Sequence, residues 1–245
     1  MSRSQTPLVR VIGRASRERR APFAGEIVAI PVRTPLIRRG EDLAALVASA
    51  VSGIARPGDV ICVSETAVAI AQGRTISAET IRPSRLAYVL SRYAGALATV
   101  NQPESLQLVI DQVGAGKVVY AAAAQVAGRL IGRRGVFYEI LGEAISTIDG
   151  YTGTLPPFER TIVLGPENPD GVARDIAAAT GERVAIVDVN DLGIAKVLGA
   201  SSGVVRARVE EVLLENPHGN ADEQTPIVVL KWRAEGTNPF VETAA

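Results

Sequence analysis

Cysteine, histidine and lysine are almost missing from this chain. Of 245 residues one is cysteine and one is histidine, and among 26 basic residues lysine occurs only as Lys117, Lys196 and Lys231. A single cysteine excludes a disulfide framework within one chain, and one histidine without a cysteine cluster gives a zinc site no ligand set. Cys62, inside Val60-Ile61-Cys62-Val63, reads as a small buried core residue, and His218, in the polar loop Asn216 to Asn220, as solvated. Net charge is absent as well: 26 acidic residues balance 26 basic ones, whereas a nucleic-acid partner calls for a clear positive excess. No apolar run is long enough to cross a bilayer and the start lacks the hydrophobic centre of a secretory signal, so a cytoplasmic protein without a membrane partner is expected. Neither a P-loop nor a G-x-G-x-x-G fingerprint occurs, so any nucleotide must be held by other means.

What is present is enough apolar residue, 47% of the chain, to bury a sizeable core. Arg3, Arg10, Arg14, Arg17, Arg19 and Arg20 crowd the start with Glu18 as their only acid. Proline and glycine interrupt this stretch, so residues 1–24 read as a solvated basic arm rather than an amphipathic targeting leader. Residues 25–233 read as one α+β domain and 234–245 as a loose tail. Within the domain, Glu26 to Ile30, Val60 to Val63, Lys117 to Ala122, Thr161 to Leu164, Val184 to Val187 and Pro226 to Leu230 have strand character. Helices are expected after the cap Asp42, over Ser84 to Leu97, from Pro103 to Val113, from Asp170 to Ala179 and from Ser202 to Leu214. The irregular spacing of these elements predicts a mixed sheet with packed helices rather than a regular doubly wound fold.

Two acidic clusters follow apolar runs: Asp149 in Ile148-Asp149-Gly150, and Asp188, Asn190 and Asp191 behind Val184 to Val187. Carboxylates gathered at strand ends are suited to a hard divalent cation, which commonly accompanies phosphates. The same residue types are also ordinary turn formers, and spacing alone leaves both readings open.

Several stretches, in order, resemble one family: the gamma-glutamyl ligases that attach glutamate to the deazaflavin coenzyme F-420 precursor. Pro35-Leu36-Ile37 leading to Gly40-Glu41-Asp42-Leu43 is similar to the family's opening P-L-I-x-x-G-D-D-L. Gly58-Asp59-Val60, Ala71-Gln72-Gly73-Arg74, Ile81-Arg82-Pro83-Ser84 and Pro103-Glu104-Ser105-Leu106 follow. Then come Ile148-Asp149, Pro166-Glu167-Asn168-Pro169-Asp170, Asn190-Asp191-Leu192-Gly193, and a closing loop from Gly219 to Pro226. The resemblance implies a gamma-glutamyl ligase-like α+β fold, a homodimer, and an acid–amino-acid ligase. In such an enzyme GTP, as co-substrate, converts the carboxylate of a small-molecule acceptor to an acyl phosphate that L-glutamate attacks, with Mg2+ or Mn2+ neutralising the phosphates. By position it implies Asp149, Asn190 and Asp191 as metal ligands, and Thr34, Pro35, Leu36, Ile37, Thr66, Thr152 and Asp222 as nucleotide contacts. It assigns no catalytic residue.

The chain departs from the family pattern at specific points. Ile70 stands where the family has a lysine, and an aliphatic group cannot offset phosphate charge, leaving Arg74 or Arg82 to supply a cation. Thr152 replaces an asparagine, Asn190-Asp191 an Asp-Thr pair, and Ile194 an arginine. The segment between Gly193 and the next helix is much shorter. These changes support an alternative: a non-catalytic homodimeric paralogue with a degenerate nucleotide site. Substrate-dependent phosphate release separates the two.

Overall fold

Val60 to Val63, Val184 to Val187 and Ile227 to Leu230 are unbroken apolar runs, the pattern of strands covered on both faces, and in the computed structural model all three are fully buried at the centre of one sheet. The structure describes residues 10–11, 27–93, 101–133, 135–142, 145, 148–151, 158–190, 193–219, 223–233 and 238–240, and of 10, 11 and 149–151 the backbone only. The expected domain limits at 24/25 and 233/234 border residues outside this description. Within the stretch expected as one domain the chain forms two compact units, one made of residues 1–73 and 166–245 and the other of 74–165.

The first unit holds a six-stranded sheet. Its strands are β1 (Arg10–Val11), β2 (Ile27–Val32), β3 (Val60–Ser64), β7 (Arg183–Asn190), β8 (Ile194–Ala200) and β9 (Ile227–Trp232), in the order β1-β2-β9-β3-β7-β8. Only β3 and β7 pair in parallel; the other neighbours are antiparallel, so the sheet is mixed as the spacing predicted. One face packs against α1 (Leu43–Val51), α2 (Glu65–Ala71) and α7 (Pro169–Thr180) through residues such as Ile61, Val47, Val68 and Ile176. The other carries Cys62, Val187, Val228 and Leu230 against Val209 and Leu213 of α8 (Arg206–Leu213) and against Phe240. Each such side chain contributes roughly 1.5–3 kcal/mol on leaving water. Cys62 is a free, buried thiol, and burial pushes its pKa far up, so it is the inert core residue expected.

Local chemistry sets the helix starts. Asp42 caps α1, its carboxylate accepting from the Ala45 N–H at 3.0 Å. Asn168, at a left-handed φ of 45°, caps α7 through Gly171 N–H, with Pro169 in the first turn. Asp170 Oδ1 then accepts from Ala200 N–H of β8 at 2.9 Å and from Arg206 of α8. These bonds, Ala200 first, hold the Asp170 carboxyl below the usual range against a smaller effect of burial. At the amino end of β3 Lys231 Nζ meets Asp59 Oδ2 at 2.5 Å, and Asp59 also accepts from Arg56 N–H. Both side chains of that ion pair are nearly buried.

The second unit packs α3 (Arg85–Ser91), α4 (Pro103–Val113), α5 (Ala115–Leu130) and α6 (Val136–Leu141) around Leu106, Val109 and Ile110. They join a three-stranded sheet of β4 (Thr75–Ser77), β6 (Thr161–Leu164) and β5 (Ile148–Tyr151).

Four expectations are corrected. The strand expected over Lys117 to Ala122 is the first half of α5: Val118, Ala121 and Gly128 are buried at helical spacing, and the β-branched pair Val118-Val119 had outweighed the alanines that follow. The last helix begins at Arg206 because β8 occupies the residues before it, a strand hidden by its partly exposed alternation. His218 is buried rather than solvated. In the stretch expected as a loose tail, Phe240 is fully buried, its C=O accepts from Val205 N–H at 2.9 Å, and Asn238 donates to Gly58 O.

Candidate functional site at the carboxyl edge of the sheet

Register alone gathers most of the expected site residues. Val32 and Val63 both pair with Ile227, and Ser64 pairs with Val187, so the carboxyl ends of β2, β3 and β7 and the start of β9 share one edge of the first unit. In open α/β sheets the carboxyl edge is where ligands bind. The loop leading into β9 is laid onto this edge by three bonds: Thr34 N–H to Gln224 O (3.2 Å), Ser64 N–H to Pro226 O (2.8 Å) and Arg33 Nε to Glu223 O (2.8 Å). Gln224 adopts a φ of 53°, a left-handed conformation that a non-glycine residue holds at a cost and that is frequent at ligand-binding loops.

His218 anchors the same loop from below. Its Nδ1 donates to Thr225 O at 3.1 Å, and the Thr225 hydroxyl donates back to His218 O. Burial lowers its pKa to about 4, opposed by the bond to Thr225, so the imidazole is neutral near pH 7. With the proton on Nδ1, Nε2 is a buried acceptor without a partner among the described residues.

The individual residues divide by exposure. Thr34 and Ile37 are buried, Pro35 is exposed and Leu36 half-buried. Ile37 belongs to the core under α1 and α2, which leaves its backbone, not its side chain, facing a ligand. Thr66 lies in the first turn of α2, which follows β3 without a loop. Asp188 and Asn190 are strand residues rather than turn residues, since β7 runs on to Asn190 and turns back into β8. Burial raises the Asp188 pKa and its cross-strand neighbour Lys196 pulls it partly back. Asn190 Oδ1 accepts from Ile194 N–H at 3.3 Å and so closes its own hairpin.

Thr152, Asp191 and Asp222 lie outside the described residues. Asp149 is a residue of β5 opposite Val163 in the second unit, known here by its backbone alone. Among the described residues no three His, Cys, Asp or Glu side chains are grouped to hold a metal ion. Asn190 is the one expected metal ligand whose side chain is described, and an amide oxygen is among the oxygen ligands that hard cations take.

The cation that Ile70 cannot supply has a different candidate from those expected. Ile70 packs against the core, and Arg74 donates to Gly165 O. Arg39, by contrast, crosses Gly73 at the end of α2: a Cβ built on Gly73 would stand 2.6 Å from Arg39 Nε. Gly40 N–H bonds Ala71 O in the same place, at 2.8 Å, so Arg39 is held within a helical turn of Ile70. Sequence spacing hides this, because thirty residues separate them; the glycine at position 73 is the only trace.

A mixed sheet with packed helices, a polar carboxyl edge and a loop strapped across that edge defines an α+β fold. The family model for F420-0:Gamma-glutamyl ligase matches residues 31–191, more than half of the chain, and the chain belongs to that family. It is 28% identical over 158 residues to the coenzyme F420:L-glutamate ligase of Methanopyrus kandleri, an alignment covering 64% of this chain and 53% of that protein. The chain therefore spans about half the length of the curated relative it matches. The family match stops just after β7, so the strap at 223–226 and β9 lie beyond it. No helix among the described residues is long and apolar enough to cross a membrane.

Proposed function

We propose that this protein is a GTP- and divalent-metal-dependent gamma-glutamyl ligase-like enzyme that forms an amide between L-glutamate and a small-molecule carboxylic acid through an acyl phosphate. The observation that carries this reading is the convergence of Thr34 to Leu36, Thr66, Asn190 and the 223–226 strap on one sheet edge, in a chain of the gamma-glutamyl ligase family. Thr34 and Gln224 fix the backbone that would line the nucleotide. Arg39, planar and permanently charged, replaces the absent lysine as the phosphate's counter-charge. Asp149, Asn190 and Asp191 are the residues proposed to hold Mg2+ or Mn2+, whose contribution when bound is to neutralise the phosphates.

Calorimetric titration of GTP, then ATP, with Mn2+ and again with a chelator tests the reading. Chelator-sensitive GTP binding is expected, and Arg39→Ala should weaken it about tenfold, the loss of one charge-assisted contact. Absence of binding by either nucleotide would overturn it. A non-catalytic paralogue is the second reading, favoured by Ile70 packing against the core and by Asn190 Oδ1 serving its own turn. Phosphate release on adding acceptor, glutamate and GTP would exclude that alternative.

A further inference from the structure

Two charged side chains at the carboxyl edge have none of the roles assigned above. Val184 and Ile186 of β7 face α1, α2 and α7, and Ala185, Val187 and Val189 face the other way, so strand alternation puts Asp188 and Asn190 on the helix-covered face. Across the hairpin Asp188 pairs with Lys196 and Asn190 with Ile194, while Ala195 and Val197 of β8 belong to the opposite side. Asp188, Asn190, Ile194 and Lys196 therefore share one face, with directly opposed Cβ atoms about 5 Å apart. The Asp188 carboxylate is half-buried and the Lys196 ammonium exposed, yet neither side chain has a hydrogen bond or an ion pair among the described residues. Lys196 is the one charged group among them that acts on Asp188. A half-buried carboxylate in that position calls for a group to complete it.

We propose that Asp188 and Lys196 form a clamp for the two charged ends of an α-amino acid, the carboxylate taking the α-ammonium and the lysine the α-carboxylate. Charge selects this class of ligand. A divalent cation drawn to Asp188 would meet Lys196, and a phosphate drawn to Lys196 would meet Asp188, each a like-charge contact, whereas a zwitterion satisfies both. Ile194, 53% exposed on the same face, offers an apolar wall for the methylenes of the ligand's side chain. The family match ends at residue 191, before Lys196, and the resemblance gives Asp188 no role. That the amino acid is L-glutamate rests on the ligase reading; the clamp itself rests on the hairpin. In the ligase reaction the clamp is a positioning device, holding the attacking amine at the edge where the acyl phosphate would form.

Calorimetric titration of L-glutamate into the full chain, with and without saturating GTP and Mn2+, tests this. The wild type should bind L-glutamate, and should bind glutarate, which lacks the ammonium, and 4-aminobutyrate, which lacks the α-carboxylate, about tenfold more weakly. Lys196→Met and Asp188→Asn should each weaken L-glutamate about tenfold, and Lys196→Arg should retain it. GTP affinity and the far-UV circular dichroism spectrum should be unchanged in all three. Lys196→Met, at an exposed position, carries the test alone should Asp188→Asn fail to fold. A wild type that binds no L-glutamate under either condition would overturn the proposal, as would equal affinity for glutarate or undiminished binding by Lys196→Met. Loss of Mn2+-dependent GTP binding in a folded Asp188→Asn would also overturn it, by putting the metal on that carboxylate. GTP and ATP are titrated separately without the amino acid, so failure of the ligase reading is read apart from failure of the clamp.

Discussion

Gly199 in β8 is where a single methyl group should do the most damage. A Cβ built there would stand 2.5 Å from Asp170 N and 2.5 Å from Pro169 O, and closer still to the Pro169 carbonyl carbon. Carbon contacts settle near 3.5–4.0 Å, so the start of α7 would have to retreat by about 1 Å or more. Backbone atoms cannot swing aside as a side-chain end can, and α7 is held there by the Asn168 cap and by Asp170 bonded to Ala200 N–H. Overpacking of this kind costs about 3 kcal/mol at its upper range. Lengthening the Asp170 bonds to Ala200 and to the half-exposed Arg206 adds roughly 1 kcal/mol. Gly199→Ala should therefore lose about 3–4 kcal/mol of stability, or about 10 °C in Tm for a chain of this size. Gly116→Ala is the matched control: nothing lies within 4 Å of its would-be Cβ and its φ is ordinary, so it should be neutral or stabilise by up to ~1 kcal/mol. Urea unfolding of the two variants at one protein concentration makes the comparison. A Gly199→Ala variant within about 1 kcal/mol of wild type would mean that α7 is not seated on β8 as described.

Lys231→Met should cost about 3–5 kcal/mol by leaving Asp59 charged and buried, whereas the double change with Asp59→Asn should recover most of it; a double-mutant cycle in urea checks both. His218 is neutral when folded, with a pKa of about 4 against 6.5 in the unfolded chain, so only the unfolded chain takes up a proton between those values. Acid should thus withdraw about 3 kcal/mol of stability as pH falls from 6.5 toward 4, and His218→Gln should remove that slope. The chain has one histidine, so its ring proton resonance reports alone, and titration near 6.5 would refute the buried, neutral imidazole. Asp149→Ala should abolish chelator-sensitive GTP binding with the circular dichroism spectrum intact; unchanged affinity would move the metal elsewhere.

The parts of the fold legible in the sequence are those where local and global signals agree. Asp42 caps a helix wherever it stands, Pro103 opens one, and the runs at Val60, Val184 and Ile227 can satisfy their apolar faces only inside a covered sheet. Legibility failed where a strand or helix departs from its own pattern. β8 alternates too weakly to stand out, and α5 looked strand-like because its outward face is as apolar as its inward one. His218 looked solvated because its loop is polar; its burial depends on a reciprocal bond with Thr225, seven residues on. The candidate edge was legible residue by residue through Thr34, Thr66 and Asn190, yet their meeting depends on β9 lying between β2 and β3, which no local pattern records. Arg39 was illegible for the same reason.

That placement of β9 has a consequence during synthesis. Among the described strands β9 comes latest in chain order and is inserted between β2 and β3, so the large sheet has a gap at its centre until about Trp232 has emerged. The second unit is one continuous stretch, 74–165, available to collapse while its host is still unfinished. β2 and β3, with their apolar faces, must meanwhile wait unpaired along the edges that β9 will fill. Removal of the residues from Val229 onward should therefore trap an open sheet prone to association rather than a trimmed native protein.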